Sequence, residues 1–484
     1  MSMRNKLIAA VLAAFCLLAL PVRVCAAAAP EPIRIAFVDS GISTRHIDPD
    51  HVAEGKNYVF PDSDTLDRIG HGTATAGIVL GAADQGVTGV CPEAVAIPLV
   101  VMDAYPSGVI KNGGTEALCQ AIMDAVDIFR CQIINISLSA AEDTQALHDA
   151  VDHAEAQGVL VVSAVGNDGA EGSDCYPAAY DPVIAVGAAD GDRPASFSQR
   201  GADLLAAGVQ LTAATHRSSL RPTTVSGTSY SCALVTGFCA RLLQQYPGLA
   251  PAAARQALYC LADDLGAPGY DAESGWGLIQ TGRTIPDAFS DVGTESWMFP
   301  GAFYAAAHGL MNGVGSGSFA PDASLTRAMS VTILWRMAGQ PPTETPVGFL
   351  DVAADAWFAD AVRWAAQAGI VSGYDAELFG PDDNLSREQL AVMLFRYAAY
   401  IAAEDAENAP APETAAEETA LDRFADAGEI SPWATDAMRW AVDCGALTGI
   451  GADRISPLAP ATRAQVATIL MRLDPALSRN DHAG

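Results

Sequence analysis

Apolar residues follow two rhythms along this chain. In the first half, short unbroken apolar runs alternate with longer segments of helical spacing. Residues 33–38 (IRIAFV), 95–101 (VAIPLVV), 133–138 (IINISL) and 159–165 are such runs, and each reads as a strand buried on both faces of a parallel sheet. Between them, residues 115–129 place Leu118, Ile122, Ala125, Val126 and Phe129 on or near one helical face, and residues 146–156 predict a helix closed by Gly158. The alternation predicts an α/β fold, a parallel sheet flanked by helices. Two further segments, residues 70–79 (GHGTATAGIV) and 226–238 (SGTSYSCALVTGF), are rich in small residues and predict tightly packed helices.

From Phe289 the rhythm changes and repeats itself over residues 289–339, 349–400 and 424–473. Each unit opens on Phe-x-Asp (Asp291, Asp351, Asp426) and runs into an amphipathic helix with aromatics. A Gly-rich turn follows, then a second helix starting at Arg327, Arg387 or Arg463. This half is expected to be mainly α-helical. Residues 402–420 are acidic and rich in Ala and Pro, and read as a flexible linker.

At 484 residues the chain exceeds one ordinary core, so two or more domains are expected. Arg4 and Lys6, the apolar residues 7–20 and the small residues 26–29 predict a cleaved secretory signal over residues 1–29. The apolar core is short for a membrane span, so a secreted chain free of the membrane after cleavage is expected. The formal net charge of -30 argues against nucleic acid, whose phosphates it would repel. Eight cysteines follow the leader (Cys91, Cys119, Cys131, Cys175, Cys232, Cys239, Cys260, Cys444), with no CxxC pair and no metal-ligand spacing. Seven precede residue 289, an odd number, so at least one free thiol is expected.

Candidate chemistry gathers at three places. Asp39 ends the first predicted strand, where α/β folds build their sites, although an aspartate in a strand-end turn is equally common. His71 is set apart from the other histidines by its glycine neighbours and its place at a helix start. Ser229 heads a helix whose free backbone N–H groups can stabilise an anion, but its hydroxyl needs a base before it becomes a nucleophile.

Together these blocks carry a resemblance. AFVDSGI at 36–42, GHGTATAGIV at 70–79 and SGTSYSCALVTG at 226–237 resemble the signature blocks of the subtilisin-like serine proteases, in that family's order. Gly166-Asn167 resembles its AGN block, INISL at 134–138 its groove strand, and Gly275-Trp276-Gly277 its closing turn. The likeness spans residues 33–285 and implies a subtilisin-like parallel sheet, a catalytic Asp39, His71 and Ser229, and Asn167 in the oxyanion hole. It implies protein or peptide substrates and a chemistry that requires no cofactor. A structural calcium is an open alternative, with Asp62, Asp64 and Asp67 as its ligands. Leu234 stands where proline is usual and Ser139 where the groove glycine is usual. Only residues 30–32 separate the predicted leader from the first strand, where exported members usually carry a folding propeptide. These departures support the alternative expectation, a catalytically silent wall-bound binding or scaffold protein.

The three repeats are similar to S-layer homology modules, which anchor proteins to bacterial cell-wall polysaccharide. The resemblance implies a chain held at the cell wall or surface, with Arg327, Arg387 and Arg463 pairing with an acidic secondary wall polysaccharide. Arginine suits that task because its planar fork meets a carboxylate bidentately. Met329, Gln389 and Gln465 stand where the last acid of the arginine block is usual.

Overall fold

The computed structural model describes residues 31–477, apart from residues 141, 170–171, 173, 268, 316, 344–347, 405–420 and 452. The predicted leader, residues 1–29, lies outside the described residues. The described residues from Ile33 onward form one compact unit.

Seven parallel strands make the central sheet. They are β1 (Arg34–Asp39), β2 (Lys56–Asn57), β3 (Val95–Val100), β6 (Ile133–Ile136), β7 (Leu160–Ala164), β8 (Val183–Ala189) and β9 (Leu204–Ala207). Two small antiparallel ribbons lie outside it, β4 (Met102–Ala104) with β5 (Ile110–Asn112) and β10 (Leu211–Ala213) with β11 (Thr223–Val225). The strand order is β2-β3-β1-β6-β7-β8-β9. From β1 the chain lays β2 at one edge and β3 between the two, then adds β6 to β9 outward on the other side, and the carboxyl ends of β1 and β6 flank the point where it changes side. Strands β6, β7 and β8 are buried along their whole length, as their unbroken apolar runs require.

Helices α1 (His71–Leu80), α2 (Gly114–Asp127), α3 (Gln145–Ala156), α4 (Thr228–Gln245) and α5 (Pro251–Leu261) complete this half. On one side of the sheet, α2 and α3 pack Leu118, Ile122 and Val151 against Val38, Leu99, Ile136 and Val161. On the other, α1 and α4 are interior helices: every residue of α1 after His71 is buried, and Cys232, Ala233, Val235, Phe238 and Cys239 of α4 are wholly enclosed. Small side chains make that approach possible. A Cβ on Gly72 would lie 2.2 Å from the Gly41 carbonyl oxygen and 3.2 Å from Asp39 Oδ1. The small-residue segments thus form helices set against the backbone that carries Asp39.

The repeats supply α6 (Phe299–Ala307), α7 (Arg327–Met337), α8 (Ala359–Gln367), α9 (Arg387–Glu404), α10 (Thr435–Asp443) and α11 (Arg463–Leu477). They close on one another as a triangle. The Leu325 amide donates to Ala461, the Leu385 amide to Leu325 and the Ala461 amide to Leu385, at 2.8–2.9 Å. Asp291, Asp351 and Asp426, the acids of the repeat openings, accept backbone amides at residues 319–320, 379–380 and 455–456 of their own repeats. The reading of residues 402–420 as linker needs correction at its start. Helix α9 runs through Glu404, because Ala402, Ala403 and Glu404 are strong helix formers that continue its last turn. The remainder of that stretch lies outside the described residues.

The two halves share one hydrophobic cluster. Tyr246, which caps α4, sets its ring edge-on to Phe299 and Phe303 of α6, and its hydroxyl donates to the Pro286 carbonyl at 2.7 Å. His308 Nε2 lies 3.0 Å from the Cys260 carbonyl oxygen at the end of α5. All eight cysteines among the described residues are free thiols, five of them buried. No helix among the described residues is long and apolar enough to cross a membrane.

Candidate active site

At the carboxyl edge of the sheet Asp39 meets His71, while Ser229 and Asn167 lie against Ser137 and Thr228. Asp39 is the last residue of β1 and is fully buried. Its Oδ1 lies 2.7 Å from His71 Nδ1 and accepts the Ser40 amide, while Thr75 Oγ1 stands 3.2 Å from its Oδ2. Two neighbours besides His71 therefore fix the carboxylate plane before the imidazole meets it. Burial lowers the pKa of His71, but the charge of Asp39, its hydrogen bond and the charge of Asp67 together outweigh burial and leave it raised.

His71 is the first residue of α1, following Gly70 at φ 104, a left-handed conformation that glycine adopts without strain. Asp67 holds this helix start in place, a role sequence reasoning missed. Its Oδ1 accepts from Ser40 Oγ and from the amides of Ile69 and Gly70, and its Oδ2 accepts from the Thr73 amide and hydroxyl, all within 2.9 Å. The sequence carried no capping signal for it, because Asp67 lies four positions before the helix and the capping position itself is Gly70, which has no side chain. The same saturation removes Asp67 from a calcium-ligand set. Asp64 pairs with Arg68 at 2.7 Å, and among the described residues no three His, Cys, Asp or Glu side chains group as metal ligands. The proposed trio Asp62, Asp64 and Asp67 therefore does not fit a calcium ion.

Ser229 is the second residue of α4 and is buried. Its hydroxyl donates to the Ser137 carbonyl at 3.1 Å, and the Ser137 hydroxyl donates to the Ser229 carbonyl at 3.0 Å. This reciprocal pair joins the start of α4 to the end of β6. Behind it, Asn135 accepts from Thr236 Oγ1 and Cys232 Sγ and donates to Ser137 Oγ. The hydroxyl is thus turned toward the groove strand. The Tyr230 ring flanks the imidazole, with centroids 5.6 Å apart.

Asn167 follows β7 in an exposed turn. Its Oδ1 accepts the Thr228 amide at 2.9 Å and lies 3.2 Å from Thr228 Oγ1. The carboxamide is thereby tied to the residue before Ser229, and its amide end is left for another acceptor.

The three predicted arginines sit elsewhere, and their surroundings correct the expectation of a free fork. Each is buried and reaches into the next repeat. Arg327 donates to the Phe379 and Ser372 carbonyls, Arg463 to Phe319 and Asn312, and Arg387 to Ile455. The Nε edge that would grip a carboxylate side-on is occupied by backbone, since closing the triangle leaves those carbonyls in need of donors. Burial lowers the pKa of all three, that of Arg387 to about 10. Two of them still border cavities: Arg387 one of about 340 Å³ with Trp297 and Arg472, and Arg327 one of about 180 Å³ with Arg396 and Trp433. Gln389 and Gln465 do the work expected of an acid in their helix starts. Each accepts the amide of Ser386 or Thr462, whose hydroxyl accepts theirs in return.

Comparison with known proteins places this geometry. Residues 31–277 match the Subtilase family, and residues 288–328, 348–391 and 423–467 match the S-layer homology domain. Subtilisin DY of Bacillus licheniformis is 37% identical over 256 residues, covering 51% of this chain and 88% of its own. The minor extracellular protease Epr of Bacillus subtilis (strain 168) is 38% identical over 253 residues, and here the chain spans 38% of the relative's length. The solved structure of Sphericase is 29% identical and covers 51% of this chain and 90% of its own, with a TM-score of 0.46. The chain belongs to the subtilase family of serine endopeptidases and carries three S-layer homology domains after its peptidase domain.

Proposed function

We propose that this chain is a secreted endopeptidase held at the bacterial cell wall, and that Asp39, His71 and Ser229 carry its chemistry. The pairing of fully buried Asp39 with His71 at 2.7 Å is the observation that carries the reading. An acid in that position fixes the imidazole with its proton on Nδ1 and leaves Nε2 as the base. Ser229 rotates from the Ser137 carbonyl to His71 Nε2, gives up its proton and attacks the peptide carbonyl. The charge that builds on the carbonyl oxygen is met by the Ser229 backbone N–H, in the first turn of α4, and by the Asn167 amide. His71 then passes its proton to the leaving amine, and water repeats the cycle on the acyl-serine. None of these steps calls for a cofactor.

The S-layer homology domains associate the protein with the cell surface. The finer proposal is that the Arg327 and Arg387 cavities, each bordered by an exposed tryptophan and a second arginine, take up an acidic secondary wall polysaccharide. Arg463 occupies the corresponding position in the third repeat. With the Nε edges engaged, the remaining guanidinium N–H groups make that contact end-on. A fluorophosphonate probe and casein hydrolysis test the enzyme: labelling and cleavage should appear in residues 30–484 and vanish in Ser229→Ala. A folded wild type that neither labels nor cleaves would refute the reading.

A further inference from the structure

Beside His71 lies a cavity of about 500 Å³ whose walls include His216, Arg217, Arg221 and Tyr230, and none of its lining side chains is acidic. That is unexpected on a chain with 57 acidic and 27 basic residues. Arg217 and Arg221 are exposed, and neither has a carboxylate partner among the described residues. Their loop is held in place. Gln85, itself buried, accepts the Thr215 amide at 3.1 Å and donates to the Ser219 carbonyl at 2.7 Å. His46, paired with Asp84, lies 2.7 Å from the Arg217 carbonyl oxygen. Two clips from the α1 side thus fix the backbone of residues 215–219 and present the arginines on a pre-organised turn.

The location assigns this cavity to one side of the scissile bond. Its walls include His71, which in the proposed mechanism protonates the leaving amine, and do not include Asn167 and Ser137, which lie against Thr228 and Ser229. A substrate's leaving-group segment would therefore run into it. We propose that the cavity is a cationic subsite, in which Arg217 and Arg221 select an acidic side chain within the first three residues after the cleaved bond. The proposal rests on the peptidase reading for the direction of the chain across the cleft. An exposed ion pair changes affinity only a few-fold. Two arginines that attract glutamate and repel lysine therefore correspond to a preference of roughly tenfold.

The test uses binding, so that it does not depend on turnover. Fluorescent peptides that differ only in Glu, Gln or Lys at the first, second or third position after the bond are titrated into full-length Ser229→Ala. At one of these positions Glu should bind roughly tenfold tighter than Lys, with Gln between them. The preference should weaken as salt is raised, vanish in Arg217→Gln/Arg221→Gln, and return in Arg217→Lys/Arg221→Lys. Equal binding of Glu and Lys at all three positions overturns the proposal. So does a preference that survives the double Gln variant, and so does an absence of peptide binding. Probe labelling of the wild type separates the two failures. Labelling without preference removes the subsite and leaves the peptidase, whereas preference without labelling removes the peptidase and leaves the subsite.

Discussion

Replacing Asp67 by Asn tests whether the start of α1 depends on a carboxylate rather than on packing. Asp67 is 3% exposed and accepts five hydrogen bonds. In the better amide orientation, Oδ1 keeps its three donors but loses its charge. Bonds to a charged acceptor contribute about 1.5–3 kcal/mol and neutral ones about 0.5–1.5, so this change costs about 1 kcal/mol for each, or about 3 in total. On the other side an NH2 group faces the Thr73 amide, and an unsatisfied buried donor costs about 1–3 kcal/mol more. Allowing for relaxation and water entry, the loss is about 3–5 kcal/mol, or roughly 10 °C in Tm for a domain of this size. Urea unfolding in a Ser229→Ala background, where self-digestion cannot intrude, measures it. A loss below about 1 kcal/mol would show that the helix start is held by the Gly72 contact and the buried face of α1, and the hydrogen-bond argument would fall.

Further outcomes are expected at the Asp39–His71 pair, at Arg463 and at Met329. Because the base must be neutral and the His71 pKa is raised above 6.5, kcat/KM should climb with pH through an apparent value above that figure. Asp39→Asn should lower kcat by roughly 10⁴ and abolish the upward shift. The same raised pKa makes protonated His71 stabilising below pH 6.5, and that contribution fades as pH rises through the folded value, which unfolding across pH in Ser229→Ala would register. Arg463→Ala should cost about 2–4 kcal/mol by stranding the Phe319 and Asn312 carbonyls, with hydrogen exchange accelerated in the repeats and unchanged in β6 and β7. Met329→Gln should stabilise α7 by about 0.5 kcal/mol, since Thr326 already accepts the Met329 amide and only the return bond is lacking. Equal melting of variant and parent would refute it.

The strands and the two small-residue helices were legible because their signals are local. An unbroken apolar run has one stable home in a sheet covered on both faces, and glycine beside histidine or serine marks a close approach. Asp39, His71 and Ser229 each ended or began such an element, so the pairing of Asp39 with His71 and the place of Ser229 beside the end of β6 followed from the topology. Asp67 was not legible in that way. It lies in a loop without periodicity, and its five donors come from residues 40 to 73, a grouping that exists only after β1 and α1 have packed. The repeat arginines misled for a related reason. Their sequence spacing announces a function, but the carbonyls that occupy them belong to the next repeat, and a cyclic closure leaves no mark on any one unit. The free thiols divide similarly: the odd count showed that one must be unpaired, whereas the enclosure of Cys232 and Cys239 within α4 is a property of the packed helix.

Helix α4 ties these levels together. Its second residue is Ser229, its middle face supplies Cys232 and Thr236 to Asn135, and its cap is Tyr246, seated on Phe299 and Phe303 of the first repeat. At 1.5 Å per residue its 18 residues span about 27 Å. One rigid rod therefore joins Ser229 to the repeats. Edge-on aromatic packing, a tyrosine hydrogen bond to Pro286 and a shared apolar cluster hold that junction, so the peptidase is mounted on the repeats rather than tethered to them. A mounted enzyme meets its substrates from a fixed direction relative to the repeats. Selectivity on the cell surface then depends on which chains can reach the cleft in that orientation, as well as on the side chains that line it.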